Sequence, residues 1–212
     1  MLSDFYSEIV NRIPFAVMMD LTGICPDSSG GTAEGALGDF DVWDDFVYQA
    51  ENLNIFHFVL EGPGDILGAK DVLALCNEHQ GSIFFILAGK SGITDQIVSD
   101  LKRIRNIVPL VEEFGLSDSS TDSESFGGTA ARLDREKIPF GVMRIGQLAE
   151  RADDLDILRV DRLGNVIPSK YTKWNKFSIK TSRLESILGL GFSKIGDKFN
   201  GRNHSIFFRE RN

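Results

Sequence analysis

Several carboxylates of this chain fall where an apolar run gives way to a loop. Asp20 ends the run Pro14 to Met19, Glu61 and Asp65 flank Gly62-Pro63-Gly64 after Ile55 to Leu60, and Glu113 follows Ile107 to Val111. Gathered at one end of such runs, they could hold a divalent cation through hard oxygen donors. They could equally cap helices and line a solvated rim. The cysteines exclude more than they offer. There are two, Cys25 and Cys76, too few for a four-thiolate site or for a three-thiolate cluster with one open iron. Cys76 closes the apolar run Val72-Leu73-Ala74-Leu75 and reads as a small core residue. His57 has apolar neighbours and reads as a core histidine, while His79 ends a helical pattern, where positive charge suits the dipole. Gly89-Lys90-Ser91 has the last residues of a phosphate loop, but Phe84 occupies its first glycine position and the motif fails.

Charge divides the chain unevenly. The total is −8; residues 1–158 hold 27 acidic against 11 basic side chains, a net −16, and residues 159–212 hold 4 against 12, a net +8. That asymmetry implies an anionic partner for the tail or an electrostatic match within the chain. In the tail, Lys170, Lys173, Lys176, Lys180 and Arg183 interleave with Tyr171, Trp174 and Phe177. Basic groups among stacking rings suit single-stranded nucleic acid or an acidic peptide. The alternative is that the rings pack inward while the lysines stay in water.

The elements that must position these groups follow from periodicity. A length of 212 residues buries a sizeable core, and 42% hydrophobic with 25% charged residues is ordinary for a globular protein. No apolar run reaches the roughly 18 residues of a membrane span. The opening Met1 to Glu8 lacks the basic and apolar parts of a signal peptide, so the cytoplasm is the expected compartment.

Leu2, Phe5, Ile9 and Ile13 predict an amphipathic helix, and residues 14–20 a buried strand. After a Gly- and Ser-rich loop from Thr22 to Gly38, Trp43, Phe46, Val47 and Ala50 mark a helical face that Asp39 or Asp41 can cap. Strands at 55–60, 82–87 and 107–111 alternate with helices through Val72 and Leu75, then Ile93, Ile97, Leu101 and Ile104. Pro109 removes one ladder donor from the fourth strand. Ser117 to Gly128 reads as a polar loop, and 138–143 as a fifth strand. Ile157 to Ile167 is a hairpin with a Gly164-Asn165 turn. Leu184, Ile187 and Leu188 suggest a short helix, and Ser205 to Phe208 a closing strand. Repeated strand–helix units with all-apolar strands mean a parallel sheet covered by helices, either doubly wound or an arc of barrel. The domain boundary is expected near residue 153, giving 1–153 and 154–212.

The order of these segments resembles the radical SAM enzymes that carry a C-terminal SPASM extension. In that family the first strand leads to three cysteines spaced three and then two residues apart. Here Cys25 occupies the first ligand position, and Ser29 and Thr32 the other two. The family's glycine-rich turn for the methionine end of SAM is matched by Glu61-Gly62-Pro63-Gly64-Asp65, with Asp65 in place of the usual Glu. Glycine there lets backbone approach the ligand, and the carboxylate faces an ammonium. The Asn-Gly turn after the third strand has become Ala88-Gly89-Lys90-Ser91. Val108 to Gly115, with Glu112 and Glu113, is similar to the fourth strand and its acidic end, and Ile138 to Gly141 to the fifth. Arg159 to Ser169 looks like the hairpin that opens a SPASM region, with Ser169 where a cysteine ligand would stand.

The resemblance implies an α/β fold: a partial, open (β/α) barrel with a small SPASM-like α+β extension. It implies a ligand-binding set of Cys25, Gly62, Gly64, Asp65 and Glu113, with no catalytic and no metal residues. Hydroxyls titrate far above physiological pH and are hard donors, poor replacements for thiolates on an iron–sulfur cluster. No competent [4Fe–4S] cluster and no radical catalysis are therefore expected. The first functional expectation is a non-catalytic binding or accessory protein for a peptide, a partner protein or a SAM-like ligand. Such a chain would pair with an active relative or with itself through an uncovered sheet edge. Two further expectations stand beside it. One is a cluster-independent enzyme using the carboxylate rim, with or without a divalent metal; the other is nucleic-acid or acidic-partner binding by the basic tail.

Overall fold

The computed structural model describes residues 13–22, 38–62, 66–88, 93–112, 122–143, 157–167 and 177–189. The expected opening helix (apart from Ile13), the Gly- and Ser-rich loop beyond Thr22, the turn at 89–91 and the closing strand at 205–208 lie outside them. So do Cys25, Ser29, Thr32, Gly64, Asp65, Glu113, Ser169 and the tail lysines as far as Lys176.

The elements run β1 (Ala16–Asp20), α1 (Phe40–Asn52), β2 (His57–Glu61), a 3-10 turn (Ile66–Gly68), α2 (Lys70–Glu78), β3 (Ile83–Leu87), α3 (Asp95–Arg103), β4 (Ile107–Glu112), α4 (Asp122–Arg135), β5 (Gly141–Met143), β6 (Ile157–Val160) and α5 (Leu184–Ile187). The strands form one sheet in the order β5-β4-β3-β2-β1-β6, and every pairing is parallel. From β1 to β5 the sheet grows in one direction, and β6 then returns to the far side of β1. A doubly wound sheet would reverse around β1 within the helical units. This order is instead an arc of barrel, open between β5 and β6 among the described residues.

The strand side chains show why. One face carries Val17, Met19, Leu21, Phe58, Leu60, Phe84, Ile86, Ile107, Val111, Leu158 and Val160, in a single core with the apolar stripes of the helices. The buried apolar residues of α1, α2 and α3 all belong to that core. Ala16, Met18, Val59 and Ile157, with Phe85 against them, form a separate cluster on the other face, and among the described residues no helical residue joins it. Helices on a single face leave the sheet free to curl around the other.

Local chemistry sets the ends. Asp39 caps α1 by accepting from the Asp41 N–H at 3.1 Å, and Thr94 caps α3 by accepting from the Ile97 N–H at 3.2 Å. Asn106 Nδ2 donates to the carbonyls of Cys76 and His79 at 2.8 and 3.0 Å, closing the carboxyl end of α2. Pro109 sits mid-strand at little cost. Asn106 and Leu110 turn their carbonyls toward β3, so by alternation Pro109 faces β5. Leu110 pairs with Gly141, the first residue of β5, and the missing N–H points where that strand has not begun.

The expected hairpin follows β6. Val160 bridges Val166 antiparallel, and Asp161 Oδ1 accepts the N–H groups of Leu163 and Asn165 at 2.9 and 2.8 Å. The turn spans Asp161 to Gly164 rather than centring on Gly164-Asn165, because Gly164 takes the positive φ of 80°. Phe177 packs on the main core, as the inward-packing alternative for the tail rings required. Among the described residues no helix is long and apolar enough to cross a membrane.

One expectation fails outright. The supposed loop at 117–128 begins α4 at Asp122. Ser and Gly masked the pattern, but Thr129 and Leu133, one turn apart, are buried, and packing outweighs propensity. The helix is suboptimal at both glycine-sensitive positions. Gly128 is helical with open space where a Cβ would go, whereas Lys137 holds a φ of 59° just past the helix. Gly128→Ala and Lys137→Gly are each expected to raise stability by about 0.5–1 kcal/mol, read as higher urea midpoints.

Candidate functional site

The carboxyl ends of β1, β2 and β6 bring three charged side chains together. Asp20 and Glu61 end adjacent strands and are register partners. Arg159, in β6, pairs with Met18 of β1, one pleat below them on the same face. Asp20 is held by its own turn: the N–H of Thr22 donates to Oδ1 at 3.1 Å, and the Thr22 hydroxyl donates to the same oxygen. The Leu21 N–H continues the ladder to the Glu61 carbonyl at 2.7 Å.

Beneath this rim lies the second apolar cluster, with Met18 at 2% and Val59 at 8% exposure. It ends at the opposite side in an aromatic stack. His57 lies 4.5 Å from the Phe15 ring and 6.4 Å from the Phe85 ring, nearly parallel to both. The core histidine expected from sequence is thus a half-buried ring on the helix-free face. Its neighbours on the strand alternate faces, and only register shows which one it takes.

Burial pushes the Glu61 carboxyl upward; the Arg159 guanidinium pulls it down and the Asp20 charge pushes it up again, leaving it above its ordinary 4.5. Two carboxylates against one guanidinium suit a cationic or hydrogen-bond-donating ligand group. Among the described residues no group of three or more His, Cys, Asp and Glu side chains could hold a metal ion.

Of the expected ligand-binding residues, Gly62 is described, directly after Glu61 and partly buried. Cys25, Gly64, Asp65 and Glu113 lie outside the described residues. Arg159 was missed from sequence because it read as one residue of a hairpin; its charge within an apolar tetrapeptide was the available signal. Cys76 is the buried core residue expected, its thiol pushed far up by burial.

A second polar group lies behind the sheet. His79, 5% exposed, places Nδ1 3.0 Å from Glu51 Oε2 and Nε2 2.9 Å from Asp44 Oδ1. The Ser82 hydroxyl donates to Glu51 Oε1 at 2.6 Å. Burial opposes a charged ring, but the hydrogen bonds and charges of Glu51 and Asp44 outweigh it and hold His79 above its ordinary 6.5. Burial likewise raises Glu51, and bonds from His79 and Ser82 with the His79 charge bring it below 4.5. Sequence pointed only to a helix dipole at His79, since its partners are 28 and 35 residues away. A cleft of about 360 Å³ opens nearby, lined by Gln80, Ser82, Ile83, Arg103, Arg105 and Asn106 among others. It lies at the amino ends of β3 and β4, opposite the charged rim. There α2 and α3 end, and Arg103, in the last turn of α3, suits that helix's negative dipole end.

No protein-family model matches the chain, and no curated protein does. Solved structures match in fold. BtrN in complex with AdoMet and 2-DOIA superposes with a TM-score of 0.54 at 14% identity, covering 93% of this chain and 96% of BtrN. Streptococcus suis SuiB bound to its precursor peptide SuiA gives 0.53 at 10% identity, covering 99% of this chain and 71% of SuiB. SuiB bound to S-adenosylmethionine gives 0.54 at 10% identity. At these identities the likeness is one of fold: an open α/β barrel like that of the radical SAM enzymes BtrN and SuiB.

Proposed function

We propose that this chain is a radical-SAM-like binding or accessory protein that holds a SAM-like ligand or a peptide at the carboxyl rim of its barrel, without cluster chemistry. The observation that carries the reading is the rim itself. Asp20, Glu61 and Arg159 stand over an apolar floor, in a fold shared with chains whose structures hold AdoMet and a precursor peptide. Gly62, Gly64, Asp65 and Glu113 would complete the ligand's surroundings, with Cys25 in the neighbouring loop.

The donor set does not fit a [4Fe–4S] cluster. Of two cysteines, Cys76 is buried in the core on the helical side, which leaves Cys25 as a single thiolate against a need for three. Hydroxyls at Ser29, Thr32 and Ser169 cannot make up the difference. Anaerobic reconstitution is expected to leave iron and sulfide at background, and brown cluster absorbance would overturn this part of the reading.

The proposed division places the barrel in 1–153 and a SPASM-like extension in 154–212, whose first strand, β6, joins the barrel's sheet. The cytoplasm is the proposed compartment. The β5 edge is the proposed seat of a second copy or an active relative, supported by Val142 at 56% exposure on that strand. One observation favours a second reading, acid–base chemistry independent of any cluster: the upward shift of Glu61 beside Asp20. The inward packing of Phe177 weighs against a nucleic-acid surface along the tail.

Titration with SAM and with methylthioadenosine separates these readings. SAM is expected to raise the melting temperature as its concentration rises. Glu61→Gln is expected to leave the ligand-free melting temperature unchanged or higher, since a carboxyl raised by burial costs stability when ionised. The same variant should weaken apparent SAM affinity about tenfold, the worth of one charge-assisted contact. A Glu61→Gln protein that melts earlier but binds SAM normally would make Glu61 structural.

A further inference from the structure

We propose that protonated His79 is a pH-sensitive latch, tying α1 to the turn between α2 and β3 and opening under alkaline conditions. The geometry requires the proton. Both ring nitrogens face carboxylate oxygens, at 3.0 Å from Glu51 and 2.9 Å from Asp44. An ionised carboxylate only accepts, so each nitrogen must carry a hydrogen. A neutral ring would turn a lone pair on one of those oxygens, in a site where the ring is 5% exposed.

The titratable and polar groups tied to His79 come from α1, from the turn before β3 and from the approach to β4. From α1, Asp44 and Glu51 supply the charges that act on it. From the turn, the Ser82 hydroxyl holds the second oxygen of Glu51. From the approach to β4, Asn106 binds the His79 carbonyl, and Cys76, three residues back in α2, is a buried neutral thiol. Loss of the proton therefore leaves one of the two carboxylates facing a lone pair and loosens the tie between α1 and the turn at Ser82. Ser82 lines the cleft at the amino ends of β3 and β4, so the latch sets the shape of the end of the barrel opposite the ligand rim.

Nitrogen-15 NMR of the full chain tests this. At neutral pH both His79 ring nitrogens are expected to carry hydrogens, and the ring to titrate above the value it shows in urea-unfolded protein. Across that titration, protection factors for the amides of Ser82 and His79 should fall about tenfold, by local opening rather than global unfolding. His79→Gln should show the low protection at every pH. A neutral ring at pH 7 overturns the proposal, and so does a titration that leaves those protection factors unchanged. Should His79→Gln not fold, the wild-type titration decides alone.

Discussion

Phe58→Ala is expected to lower the free energy of unfolding by about 3–5 kcal/mol, from a total of about 5–15 kcal/mol for a domain of this kind. Phe58 is fully buried on the helical face of the second strand, and its ring stacks on Phe84 with centroids 5.2 Å apart. Removing it opens a cavity that parallel strands on both sides cannot collapse into. The comparison lies one residue further along β3. Phe85 faces the other way, is half-buried and packs on the small cluster and the His57 ring, so Phe85→Ala should cost about 2 kcal/mol or less. Urea denaturation with unchanged slope measures both, and the Phe58/Phe84 double-mutant cycle should give about 0.5–1.5 kcal/mol of coupling. Equal costs for Phe58 and Phe85 would mean that the two faces are not partitioned as the strand register places them.

His79→Ala should cost about 3 kcal/mol at pH 6. Truncation takes the shared cation from two carboxylates whose side chains keep only 11% and 21% exposure, while the Ser82 hydroxyl still donates to Glu51, which puts the loss near the lower end for a broken buried ion pair. The pH dependence is more telling than the size. His79 is raised in the folded state, so its contribution is complete below its ordinary 6.5 and is lost as pH rises through the folded value. Glu51 is lowered, so its contribution is complete above its ordinary 4.5 and is lost as pH falls through the folded value. The gap between wild type and His79→Ala is therefore widest between pH 4.5 and 6.5 and narrows on the alkaline side. A gap that does not vary from pH 5 to pH 10 would reduce His79 to packing.

The strands and three of the main helices could be placed from periodicity, because five-residue apolar runs and stripes at 3.6 spacing are local patterns. Helix α4 could not. Its Ser and Gly content hides a stripe that only the sheet beneath it reveals. Ring position is equally opaque: His57 and Phe58 adjoin in sequence yet occupy opposite faces, and nothing local tells which one meets the helices. Of the rim, Asp20 and Glu61 could be proposed as strand-end carboxylates, while Arg159 needed its strand to return to β1.

Alternation of apolar strands with amphipathic helices, and two cysteines where cluster chemistry needs more, belong to the sequence alone; the first is a matter of residue spacing and the second of thiolate chemistry. Tertiary structure decided between a doubly wound sheet and an arc of barrel, since the hand and order of crossovers are set by how helices pack on one face. It also joined Asp44, Glu51 and His79 across 35 residues, and Asp20, Glu61 and Arg159 across still more. Charges that far apart meet only where hydrogen-bonded register holds the strands side by side.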